Sequence, residues 1–105
     1  MGDIMLNYDM ANLTKMKTMA AVAPDVMATF QAFDKAAFAE GAIPVKFKEL
    51  IAIAVGVTTQ CPYCIEFHAK RAKQAGATDA EITEATMVAA AIRAGGAVTH
   101  ATHAL

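Results

Sequence analysis

Charge is scarce in this chain. Of its 105 residues 18% are Asp, Glu, Lys or Arg, and the formal net charge is −1. With no basic excess and no Lys/Arg stripe, the composition speaks against a nucleic-acid partner. Backbone punctuation is also sparse, with three prolines and six glycines, and tryptophan is absent. Two cysteines are too few for the disulfide framework of a small secreted domain. Long hydrophobic runs are missing too. The longest uncharged stretch, Leu50 to Ile65, is interrupted by Thr58, Thr59, Gln60 and Pro62. It falls short of the roughly 20 apolar residues that a membrane span needs, so no membrane association is expected. Met1 to Leu6 lacks the basic and apolar regions of a signal peptide. Gly2 is not followed by the Ser or Thr at position 6 that myristoylation wants. These features point to a cytoplasmic protein. There a cysteine pair is more often catalytic or metal-binding than structural.

What remains is apolar and helix-prone. Hydrophobic residues make up 56% of the chain and alanine alone supplies 25 positions, enough to bury a core in one domain spanning 1–105. Residues 1–11 read as an arm and 12–22 as a weak opening helix. Pro24-Asp25 opens a segment to about Glu40, with Val26, Met27, Phe30, Phe33, Ala37 and Phe38 at helical spacing and Gly41 closing it. Pro44 reads as the first residue of a helix to about Thr59. Its run Leu50 to Thr59 is rich in β-branched residues, but the unbroken length favours helix over strand. Such a helix, apolar nearly all round, is expected to be central and buried on most sides. Pro62 starts the next helix, which ends at Gly76. Thr78-Asp79-Ala80-Glu81 has the form of a capping box, and the helix behind it is expected to stop near Gly95-Gly96. Ala97 to Leu105 forms a last helix-compatible segment. The fold class is all-α, with five to six helices.

The chemistry is concentrated in Cys61-Pro62-Tyr63-Cys64-Ile65-Glu66-Phe67-His68. With Pro62 as first helical residue, Cys61 caps the helix and Cys64 lies in its first turn. Positions 61, 64 and 68 then share a sector of roughly 60°. The helix N-terminus favours a thiolate and a nearby imidazole can hold its proton, so the spacing suits a redox dithiol. Glu49 joins by geometry. If the chain reverses between Thr58 and Cys61, Glu49 lies about 13 Å down one helix and His68 about 9–10 Å down the other. The two are then within reach of each other, directly or through one water, and a carboxylate there would orient His68 as a base. Glu66 points away from this face.

Glu49, eleven residues, then Cys61-x-x-Cys64-x-x-x-His68 resembles the signature of AhpD-like proteins, of the alkylhydroperoxidase D and carboxymuconolactone decarboxylase superfamily. The resemblance runs from about Pro24 to Leu105 and includes the Glu40-Gly41-Ala42-Ile43-Pro44 bend and the Ala75-Gly76-Ala77-Thr78 turn. It implies an all-helical AhpD-like domain and peroxide-reducing dithiol chemistry without a cofactor. By the same resemblance Cys64 becomes the sulfenic acid and Cys61 is proton donor and resolving thiol. Glu49 and His68 form the proton relay. The implied partners are a small hydroperoxide and a thiol reductant or redox partner protein. One departure stands out: Tyr63 occupies the position before the second cysteine, where the alkylhydroperoxidase enzymes carry histidine.

Other readings of the same residues differ in what they require. Cys61-Pro-Tyr-Cys64 is also the glutaredoxin tetrapeptide, but that fold needs a strand before Cys61. Zinc could take Cys61, Cys64 and His68, yet no second Cys-x-x-Cys exists to complete the site. A carboxymuconolactone-decarboxylase-like enzyme would not require the cysteine pair. His100 and His103, spaced i, i+3 near the end of the sequence, read as exposed residues, and the seven methionines as core or interface filler. Lys70, Arg71 and Lys73 read as a solvated cationic face. No metal site is expected. Several helices are apolar on more than one face, which predicts a homo-oligomer. The resemblance narrows this to a hexamer, with a trimer as the alternative.

Overall fold

The computed structural model describes residues 8–105, and every described element is helical. The chain divides into two compact units, Met1–Glu40 and Gly41–Leu105.

In the first unit a 3-10 helix, Met10–Lys15, leads into α1 (Met16–Val22), and α2 follows (Pro24–Phe38). The Asp9 side chain caps the first turn by accepting the Ala11 N–H at 2.8 Å. Helical structure therefore begins inside the segment read as an arm, whose residues 1–7 lie outside the described residues. Ala23, at φ −132° and ψ 69°, breaks α1 from α2 because the residue before a proline is driven out of the helical region. Of the apolar positions spaced along α2, Met27 is buried, whereas Val26, Phe30 and Phe33 stay at least half exposed.

The second unit holds α3 (Val45–Thr59), α4 (Pro62–Gln74) and α5 (Asp79–His100), then a 3-10 turn, Ala101–Ala104. Pro44 is the cap of α3 rather than its first residue; its carbonyl accepts the Phe47 and Lys48 N–H groups. The β-branched run is helical. It is buried on one side: Leu50 and Ile53 belong to a core with Ala72 and Ala77, against which Val57, Ala69, Ile82 and Ala85 pack. The expectation of burial on most sides is corrected by Ile51 and Val55, 50% and 54% exposed on the opposite face. Three helices cannot surround one of their own number.

Two turns position the site. Gln60, in the left-handed region at φ 57°, ends α3 and reverses the chain into Cys61. Gly76, at φ 93°, ends α4, with Ala77 N–H bonded to Ala72 O and Gly76 N–H to Lys73 O. That left-handed cap tolerates glycine best, and it folds Ala77 back onto Ala72 in the core. The capping box of α5 is complete: Thr78 Oγ1 accepts from Glu81 N, and Glu81 Oε1 accepts from Thr78 N. Lys46 Nζ reaches Glu81 Oε2 at 2.9 Å, tying the start of α5 to the start of α3. The Lys46 ammonium, and then the Thr78 N–H, hold the Glu81 carboxyl below the usual carboxylate range. The expected stop at Gly95-Gly96 does not occur, and α5 continues to His100. Neither glycine has positive φ. A glycine inside a helix costs about 1 kcal/mol, which weakens the helix without terminating it.

Candidate active site

The first turn of α4 carries the cysteine pair. Cys61 caps the helix, its Sγ accepting the Cys64 N–H at 3.3 Å, and the two residues form a disulfide. One turn later, His68 Nδ1 lies 2.6 Å from Glu49 Oε2 on α3, the contact expected from antiparallel helices meeting at a short turn. The Glu49 residue is only 1% exposed. A carboxylate taken that far from water needs hydrogen-bonded partners. His68 provides one, since an ionised carboxylate can only accept and the ring nitrogen facing it then donates. The structure thus sets His68 against Glu49 between α3 and α4, with the Cys61–Cys64 disulfide at the start of α4.

A further residue joins them. Arg71 Nε lies 3.6 Å from Glu49 Oε1, so the second carboxylate oxygen faces a guanidinium. The same guanidinium covers the Phe67 ring, and that ring stands edge-on to His68 at 5.1 Å. Arg71 is therefore not simply part of a solvated cationic face, as its neighbours in sequence suggested. The signal was available in the spacing, since Cys64, His68 and Arg71 stand at i, i+4 and i+7 of one helix. Lys73 does lie on the solvated side, 3.7 Å from the exposed Asp79, and Glu66 is exposed as expected.

The competing readings fare differently. No strand precedes Cys61 among the described residues, so a glutaredoxin-like fold is overturned. Among those residues, no three of His, Cys, Asp and Glu converge in a way that could hold a metal ion. His100 and His103 are exposed with ring centroids 6.0 Å apart, and His100 Nδ1 lies 3.0 Å from Gly96 O in its own helix. No helix among the described residues is long and apolar enough to cross a membrane.

Known proteins match both the sequence and this architecture. A protein of Paracoccus denitrificans, described as uncharacterized protein 4 in the cox locus, is 45% identical over 102 residues, covering 91% of this chain and 92% of its own length. An uncharacterized protein of Cupriavidus necator is 34% identical over 82 residues, or 78% of this chain and 73% of the relative. Among solved structures, a protein from Methanobacterium thermoautotrophicum superposes with a TM-score of 0.78 at 37% identity, over 83% of this chain and 98% of its own. The apo form of a carboxymuconolactone decarboxylase family protein from Legionella pneumophila gives 0.77 at 31% identity, over 95% and 89%. The family model for carboxymuconolactone decarboxylases matches residues 24–105. With the helical fold, the cysteine pair at a helix start and this match over most of its length, the chain belongs to the carboxymuconolactone decarboxylase family.

Proposed function

We propose that this protein is an enzyme, a peroxide-reducing thiol–disulfide oxidoreductase of the alkylhydroperoxidase kind. The observation that carries this reading is the Cys61–Cys64 pair heading α4, with His68 one turn on and hydrogen-bonded to a buried Glu49. In the dithiol form, Cys64 passes its thiol proton to His68 Nε2, the resulting thiolate attacks one oxygen of a hydroperoxide, and the O–O bond breaks. The alkoxide leaves and takes a proton from His68, while Cys64 becomes a sulfenic acid. Cys61 then passes its proton to His68 and attacks the Cys64 sulfur. The S–S bond forms, and the hydroxide leaves as water after taking that proton. The sum converts hydroperoxide and dithiol into alcohol, water and disulfide. A thiol reductant or a redox partner protein returns two electrons, as a reducing cytoplasmic setting would allow. Glu49 holds the Nδ1 proton and so makes Nε2 the ring nitrogen that carries these transfers. A decarboxylase would have no use for the cysteine pair, which favours the dithiol reading over the one in the family's name.

The same proposal includes self-association. Ile51, Val55, Met87, Val88, Ile92 and Val98 are exposed on α3 and α5. Apolar surface of that extent usually marks an interface, and a homohexamer, or a trimer, would cover it.

Stopped-flow loss of free thiols against several hydroperoxides tests the chemistry. Cys64→Ser should abolish peroxide-dependent oxidation, and Cys61→Ser should trap a sulfenic acid at Cys64. Turnover retained by both variants would refute the reading.

A further inference from the structure

We propose that Gly56, on α3, is the positioning residue that seats both cysteines and thereby sets the dithiol–disulfide equilibrium of the pair; this rests on the redox reading above. A side chain at this buried position would meet the first turn of α4. An ideal Cβ on Gly56 would lie 3.3 Å from Cys64 Cβ, 3.4 Å from Ile65 Cγ1 and 3.6 Å from Ile65 N. The nearest neighbour is thus the root of one cysteine side chain. The other cysteine is held through the backbone: Gly56 O accepts the Cys61 N–H at 3.0 Å, together with the Gln60 N–H that closes α3. One residue therefore fixes Cys61 by its carbonyl and makes room for Cys64 by having no side chain.

Conformation does not explain this glycine. Its φ is ordinary for a helix, the positive values belonging to Gln60 and Gly76 among the described residues. Space does. The contrast is internal, because a Cβ at Gly95 or Gly96 would meet nothing within 4 Å.

Both ends of the disulfide are referred to the same backbone unit, and closing a disulfide holds its two Cβ atoms within about 3.5–4.5 Å of each other. A methyl group at position 56 would displace Cys64 by a few tenths of an ångström while Cys61 stays on its hydrogen bond. The oxidised form opposes that displacement. The dithiol, free of the covalent constraint, accommodates it.

The experiment equilibrates the whole protein with mixtures of glutathione and glutathione disulfide. Protein dithiol plus glutathione disulfide gives protein disulfide plus two glutathione thiols, so the protein is oxidised by two electrons and the equilibrium constant is read from trapped thiols. In Gly56→Ala the constant should fall about tenfold, equal to about 30 mV for a two-electron couple. In Gly95→Ala it should equal that of wild type. An unchanged constant in folded Gly56→Ala overturns the proposal. Repeating the comparison in an Ile65→Ala background isolates the Cys64 contact and relieves crowding should Gly56→Ala alone not fold. A shift that persists there supports the proposal, while a shift that disappears assigns the effect to Ile65 and overturns it. Failure to fold in both backgrounds makes Gly56 a residue of the fold alone and also overturns it. Wild type that exchanges with glutathione but ignores peroxide refutes the peroxidase reading while leaving the Gly56 result standing. Wild type that does not exchange refutes both.

Discussion

The two halves of α5 are equally rich in hydrophobic residues and have opposite fates. The first half is anchored. Its capping box is closed by Thr78 and Glu81, Lys46 binds Glu81 from α3, and Ile82 and Ala85 pack on the core. In the second half every residue is exposed, Ile92 and Val98 to 72% and 73%, whereas Ile82 and Ala85 of the first are partly buried. Length accounts for the difference. α5 has 22 residues and α3, against which it packs, has 15, so at about 1.5 Å per residue α5 outruns its partner by roughly 10 Å. Apolar character alone does not bury a residue, because something must lie alongside it. The core and the Glu49–His68 contact therefore gather where α3, α4 and the anchored half of α5 meet, and the overhanging half offers the apolar surface on which the proposed association would draw.

Several measurements can break or sharpen that division. The largest effect is expected at the proposed proton relay within the anchored region. Glu49→Gln and His68→Ala should each slow the reaction of Cys64 with peroxide by about 10²-fold or more and move its pH–rate profile to higher pH, with far-UV circular dichroism unchanged. Profiles identical to wild type would remove both residues from the mechanism. Next comes the core. Ile53, 2% exposed, should cost about 2–5 kcal/mol on truncation to Ala in urea unfolding. By contrast Ile92→Ala, measured at a concentration where the protein is dissociated, should stay within about 0.5 kcal/mol. Equal losses at the two positions would erase the contrast between the halves of α5.

Association is the third measurement. Ile92→Glu together with Val98→Glu places charge on the overhang, and light scattering should show the mass falling toward the 11.0 kDa of one chain. An unchanged assembly would move the interface elsewhere. A smaller, stabilising effect is expected from Gly95→Ala, by about 0.5–1 kcal/mol, since the position is helical and its Cβ meets open space.

The smallest effect concerns the anchor of α5 in acid. The Glu81 carboxyl titrates below its ordinary 4.5 because Lys46, then Thr78, stabilise its charged form. Its contribution to stability is complete above the unfolded-state value and is lost as pH falls through the lower folded-state value. Wild type and Glu81→Gln should therefore differ in thermal midpoint at neutral pH and converge in acid. A difference that persists undiminished at low pH would assign the anchor to something other than the Glu81 charge.

Much of this was legible along the chain. Pro62 after Cys61 marked a helix start with its first cysteine at the cap, and Thr78-x-x-Glu81 marked the next. The approach of Glu49 to His68 followed from two helices of known rise joined by a short turn. What escaped the sequence was set by neighbours distant in the chain. Arg71 shares the helical spacing of Cys64 and His68, but the sequence does not show that it meets Glu49; the packing of α4 on α3 brings it there, while Lys73 lies beside the exposed Asp79. Gly56 and Gly95 are both helical glycines; one lies against Cys64 and the other faces open space. The expected stop at Gly95-Gly96 failed for a related reason, since a glycine ends a helix only where the backbone turns left-handed, as it does at Gly76. Local chemistry by itself determined the helices, their caps and the pairing of Cys61 with Cys64, because capping, proline and the Cys-x-x-Cys spacing act over three or four residues. The tertiary structure decided which cation joins Glu49, which glycine is needed and which apolar faces are covered, because those depend on close approach between helices whose relative lengths and crossings no local pattern encodes.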